Sequence, residues 1–96
     1  MELWQDIAEY LKEYHTTEAD AIKNRELREL FNLTDRQVRR IVHELRCKGV
    51  AICSSSEGYW YSENRADIKR TLHKMEAQIQ DMEYSIAGLY KALKEV

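Results

Sequence analysis

The stretch LTDRQVRRIVHELRCKGV, residues 33–50, decides how the rest of the chain is read. Val38, Ile41, Val42 and Leu45 recur at helical spacing, which predicts a helix over residues 34–48 with one apolar face. At about 100° per residue, Arg36, Arg40 and His43 point almost directly away from that face, and Arg39 lies on its flank. Thr34 is placed to cap the helix, and Gln37 three residues on completes a capping box. Gly49 supplies the residue past the C-terminal end that must tolerate a left-handed backbone. The helix has a core side and a cationic side, in a chain whose formal net charge is −2.

That total conceals an asymmetry. Residues 1–22 carry −5, residues 23–48 carry +4 and residues 49–96 carry −1. Only the middle block attracts polyanions, and a local field outweighs the total for such partners. A length of 96 residues with 44% hydrophobic content suits one domain, or one small domain with an appendage. No apolar run is long enough to span a membrane. The start, MELWQDIAEYLKEY, is acidic and amphipathic, without the basic start or small-residue cleavage site of a signal peptide. A cytoplasmic protein is expected, and two cysteines fit a reducing compartment better than a disulfide framework.

The chain has no proline and three glycines, which favours long helices with little punctuation. Leu3, Trp4, Ile7, Leu11 and Tyr14 predict a first helix over residues 2–14. HTTEAD breaks it, and Ala21, Ile22 and Lys23 suggest a very short strand. Asn24 is the expected cap of a second helix, with Leu27, Leu30 and Phe31 inward. Asn32 tolerates the left-handed turn that ends it, and Leu33 plugs the gap between the helices. Past Gly49, residues 50–53 read as a strand, SSSEG (54–58) as a loop and the aromatic run Tyr59–Trp60–Tyr61 as the returning strand. Ser62 or Asn64 caps a last helix.

That helix carries its own pattern. Ile68, Leu72, Met75, Ile79, Met82, Ile86, Leu89 and Leu93 alternate in steps of four and three. Leu72, Ile79, Ile86 and Leu93 occupy the a positions of a heptad, and Ile68, Met75, Met82 and Leu89 the d positions. A helix over residues 65–94 is about 45 Å long at ~1.5 Å per residue. A small body cannot cover it, so the seam predicts a partner helix, most simply a second copy. The flanking residues (Lys69, Glu76, Glu83 and Tyr90 at e; Thr71, Gln78, Ser85 and Ala92 at g) leave parallel and antiparallel pairing open.

The order helix, short strand, helix, tight turn, helix, hairpin, carried by NRELRELFNLTDRQVRRIVHELRCKGVAICSSSEGYWYS (residues 24–62), resembles a winged helix-turn-helix. LFNLTDRQVRRIVHELR looks like the helix–turn–recognition-helix core, and RCKGVAICSSSEGYWY like the helix end, first strand, wing and second strand. The wording is similar to small winged-helix proteins of Gram-positive bacteria and their phages. The expected fold class is therefore mainly α with a small β-hairpin (α+β). A winged helix-turn-helix domain is expected over residues 1–62 and a coiled-coil dimerisation helix over residues 63–96.

The resemblance implies binding of double-stranded DNA by a homodimeric transcriptional regulator, with helix 34–48 in the major groove. By position, base contacts fall to Asp35, Arg36, Gln37, Arg40 and His43. Arginine's fork matches a guanine edge, and glutamine can pair with adenine. Lys23, Arg25, Arg39 and Arg46 are expected on phosphates, with Thr34 at a helix N-terminus that can receive one. Ser55 and Ser56 of the wing are added as hydrogen-bonding residues. DNA-touching wings usually carry Arg or Lys at the tip, and here the only charge is Glu57.

Other readings compete. The arginines can be a solvated face, with Arg40 and Glu44 paired at i,i+4. His43, Cys47 and Cys53 suggest a metal, but no fourth ligand is evident and the spacing is not that of a zinc site, so no metal or cofactor is expected. Cys47 among basic residues can be redox-sensitive. No phosphate loop, nucleophile elbow or acid pair points to an enzyme or to a small-molecule ligand. The rival function is a protein-interaction or assembly module of a phage-like replication or packaging complex, without direct base reading.

Overall fold

A computed structural model describes residues 2–96. Helix α1 (Leu3–Tyr14) is followed by a single 3-10 turn (Glu18–Asp20), then by helices α2 (Asn24–Phe31) and α3 (Asp35–Cys47). Strands β1 (Ile52–Ser55) and β2 (Gly58–Tyr61) form an antiparallel pair, and helix α4 (Arg65–Lys94) closes the chain. The protein is mainly helical with one small sheet. No helix among the described residues is long and apolar enough to cross a membrane.

The core forms where the apolar faces of three helices meet the hairpin. Ile7, Ala8 and Leu11 come from α1, Leu27 from α2, and Val38, Val42 and Leu45 from α3, packed with Ile22 and Ile52. Leu30, expected inward, is instead 57% exposed. The short helix α2 is turned so that Leu27 sits at the centre of its buried face. Phe31 takes the other inward place, edge-on to Tyr10 of α1 at 5.6 Å.

Capping chemistry sets the entry and exit of α3. Asn32 adopts φ 55°, and its N–H donates to Arg28 O, closing α2. Two residues later the capping box is complete: Gln37 N–H donates to Thr34 Oγ1 at 3.2 Å, and Thr34 N–H to Gln37 Oε1 at 2.8 Å. At the other end, Gly49 N–H donates to Arg46 O and Val50 N–H to Leu45 O, the paired bonds of a Schellman motif, with Gly49 at φ 86°. The expected cap at Asn24 is not made. Lys23 holds that place without a side-chain bond, and Asn24 is the first helical residue. Its amide atoms are buried without a partner, as is Arg28 Nε.

The hairpin is tighter than its sequence suggests. Val50 still belongs to the end of α3, so β1 starts at Ile52. Ser54 and Ser55 pair with Tyr59 and Gly58, leaving a turn of Ser56 and Glu57 in place of a five-residue loop. The short strand expected at 21–23 reduces to a bridge, in which Ile22 and Tyr59 exchange both backbone bonds at 2.8 Å. Gly58 makes that approach possible: its φ is 127°, and a Cβ there would collide with the Ile22 carbonyl.

Of the two candidate caps for α4, Asn64 serves, its side chain accepting from Ala66 N–H at 2.8 Å. The first three turns then dock on the hairpin. The Asp67 carboxylate accepts from the indole N–H of fully buried Trp60 at 3.2 Å and from the Ser62 hydroxyl at 2.9 Å. Thr71, 7% exposed, accepts from Ser54 N–H, and Lys74 donates to Ser54 O. Arg70 reaches Glu18 at 3.0 Å. From Leu72 onward every residue is exposed, and the helix projects as an arm from a molecule 54 × 30 × 23 Å in extent.

Candidate nucleic-acid interface

The solvent side of α3 is where the sequence placed the cations. Val38, Val42 and Leu45 anchor the helix in the core, so Arg36, Arg39, Arg40 and His43 are held outward by the same rotation. Two of the arginines are lightly engaged. Arg39 Nε lies 3.0 Å from Asp35 Oδ2 and Arg40 Nε 3.4 Å from Glu44 Oε1, both at i,i+4. The Arg39 and Arg40 side chains are 71% and 80% exposed, so these are solvated pairs of the kind that contributes about 0–1 kcal/mol. Exchanging such a carboxylate for a phosphate costs little. Arg36 forms no ion pair among the described residues.

Three expected contacts are already occupied within the protein. Gln37 spends its Oε1 on the cap, which leaves only its amide N–H groups for a base edge; a bidentate adenine contact needs both ends. Arg46 does not project to solvent. It is half-buried, with Nε donating to Ile52 O at 2.8 Å and Nη2 to Ser54 Oγ at 3.0 Å. Burial lowers its pKa from the ordinary arginine value, opposed by Tyr59 and Cys53 nearby. Its work is to tie the end of α3 to β1. Lys23 Nζ donates to the Ser56 carbonyl and so holds the hairpin turn against the start of α2.

The remaining expected residues are at the surface. Arg25 is exposed beside Glu29 at 3.3 Å. Ser56 is exposed at the turn, while Ser55 Oγ accepts from Glu57 N–H at 3.0 Å. Thr34 is exposed; its oxygen serves the cap, and its hydroxyl hydrogen stays free to donate.

The C-terminal half of the α3 surface has a neighbour that spacing alone does not reveal. Arg39, His43, Arg46 and Cys47 form one wall of a groove whose other wall is Tyr59 of β2 and Met75 of α4. Cys47 Sγ lies 3.6 Å from His43 Nε2. Cys53 is buried on β1, where burial pushes its thiol pKa up, so it does not join that pair. Among the described residues no group of three or more His, Cys, Asp or Glu is disposed to hold a metal ion. The open part of the cationic surface is thus the first half of α3, centred on Arg36 and Arg40.

The heptad residues lie along one exposed stripe. Ile68 and Met75, 37% exposed, border the hairpin, while Ile79, Met82, Leu89 and Leu93 are 59–71% exposed. Leu72 and Ile86 lie between these at 52% and 48%. No family model, curated protein or solved structure matches the chain.

Proposed function

We propose that this protein binds double-stranded DNA sequence-specifically as a homodimeric transcriptional regulator. In this reading residues 2–62 act as a winged helix-turn-helix with α3 in the major groove, and the α4 arm pairs with a second copy as a coiled coil. The observation that carries it is the α2–turn–α3 unit: a left-handed Asn32, a complete Thr34–Gln37 cap and a helix exposing Arg36, Arg39 and Arg40 on one side. Arg36 and Arg40 are the base-reading candidates, with His43 beside them. Arg39, Arg25 and the Thr34 hydroxyl suit phosphates, which position the protein without specifying sequence. Arg46 and Lys23 support the hairpin.

Fluorescent duplex DNA titrated across a salt series tests this. Wild type should bind with a steep fall of log affinity against log salt, and Arg36→Ala/Arg40→Ala should lose affinity with a flatter slope. Absence of binding at low salt would sink the reading. The rival, an assembly module that docks protein, is favoured by Glu57 at the hairpin turn and by the carboxylates of Asp35 and Glu44 along α3. It takes over if the wild type ignores every duplex.

A further inference from the structure

Beside the root of the arm lies an open groove of about 370 Å³, apolar along Val50, Ala51, Ile52, Ile68, Leu72 and Met75 and bordered by Arg46. We propose that two copies pair through α4 in the antiparallel sense, so that the last turns of each arm lie along this groove of the other. The inference rests on the dimer reading above and adds the direction and register of pairing.

The docked side of α4 weighs against the parallel alternative. Asp67, Arg70, Thr71 and Lys74 face the protein's own hairpin and the 3-10 turn, so the body lies on the flank of the seam that Thr71 occupies. In a parallel coiled coil that g flank meets the other helix's e flank. The e residues at that level are Lys69 and Glu76, and the parallel arrangement would set both charges over a groove whose lining is apolar apart from Arg46, with Lys69 facing a like charge. Antiparallel pairing brings the opposite end of the arm there. On the side that enters, that end is apolar, with Leu89, Ala92 and Leu93 at the d, g and a positions, while Tyr90 at e lies on the other flank. Leu89, Tyr90 and Leu93 are 71%, 64% and 68% exposed. Wide apolar surface at each end of the arm meets its complement at the other end of the second arm.

Burial also selects the register. Met75 stands against the partner's Leu93, Ile79 against the partner's Leu89, and Met82 against the partner's Ile86. Sliding one heptad further in would require Thr71 to meet the partner's Ala92, but Thr71 is only 7% exposed beneath its own hairpin. Sliding one heptad out would move the partner's Leu93 from Met75 to Met82, away from the groove. The selected register sets Thr71 of the two copies about 39 Å apart along the helices, at ~1.5 Å per residue. That is of the order of the ~34–36 Å between DNA half-sites one helical turn apart.

Disulfide trapping in a Cys47→Ser background tests the pairing, because Cys53 is buried. The Met75→Cys/Leu93→Cys double variant should form covalent dimer under mild oxidation. Met75→Cys alone and Leu93→Cys alone should not, since each residue then lies about 27 Å from its own counterpart at ~1.5 Å per residue. Ile79→Cys/Leu89→Cys tests the same register if Met75→Cys disturbs the fold. Covalent dimer from Leu93→Cys alone, or a wild-type monomer by light scattering, overturns the proposal. Adding Arg36→Ala/Arg40→Ala must leave cross-linking unchanged, which separates failure of pairing from failure of DNA binding.

Discussion

The body and the arm use the same kinds of side chain to opposite ends. In the body, Ile7, Leu11, Ile22, Leu27, Leu45 and Trp60 are at most 2% exposed. In the arm, Ile79, Ile86 and Leu93 are 48–68% exposed. In the helices of both regions the apolar residues recur at helical spacing, so periodicity identifies which face of each helix is apolar. What differs is the cover. The body's helices are joined by short turns that fold each apolar face onto another. The arm runs thirty residues without a turn, and none of the described residues folds back over its outer part. An apolar face buried by its own chain forms a core; one left bare along a long arm is the surface that the proposed pairing would use.

Breaking the body should have the largest effect. Trp60→Ala removes a fully buried indole and leaves Asp67 without one of its donors. A loss of about 3–5 kcal/mol is expected, read as a lower urea midpoint, and it would remove much of the margin of a small domain. The joint between the two regions comes next. Asp67→Ala strands the Trp60 indole N–H and the buried Ser62 hydroxyl, costing about 1–3 kcal/mol. Proteolysis should become faster at Glu63–Asn64, where the arm leaves the hairpin; unchanged cleavage would show that the joint does not depend on this carboxylate. The smallest effect on the body should come from the arm itself. Ile86→Asp should change body stability by no more than about 0.5 kcal/mol, since this residue lies on the exposed arm beyond the docked turns. The same variant should sediment as monomer where the wild type does not. A destabilised body in that variant would show that the two regions are coupled through more than the docked turns.

Against the sequence reading, the helices, the hairpin and the α3 caps stand where the pattern placed them, within a residue or two. The errors are specific. Asn24 was expected to cap α2 from outside and instead begins it; Leu30 was expected inward and is exposed; a five-residue loop is a two-residue turn. Each depends on how an element is rotated or paired against another, which local composition does not encode. Among the candidate site residues, the outward placement of Arg36 and Arg40 was legible because an anchored helix must turn its other side outward. Arg46 was not. A helical wheel cannot know that a strand beginning six residues on will accept its guanidinium.

The sequence by itself determined everything governed by neighbours a few positions apart: the Thr34–Gln37 box, the turn at Asn32, the Schellman end at Gly49 and the heptad stripe. These are contacts between residues three to seven apart, and any chain with that wording makes them once helical. Only the tertiary structure decided the rest. It set Gly58 under the Ile22 carbonyl, Asp67 beneath Trp60 and Ser62, Thr71 against Ser54, and Met75 across the groove from His43 and Cys47. Those contacts exist because the hairpin packs between α3 and α4, and close packing fixes such meetings through shape and volume summed over the whole core.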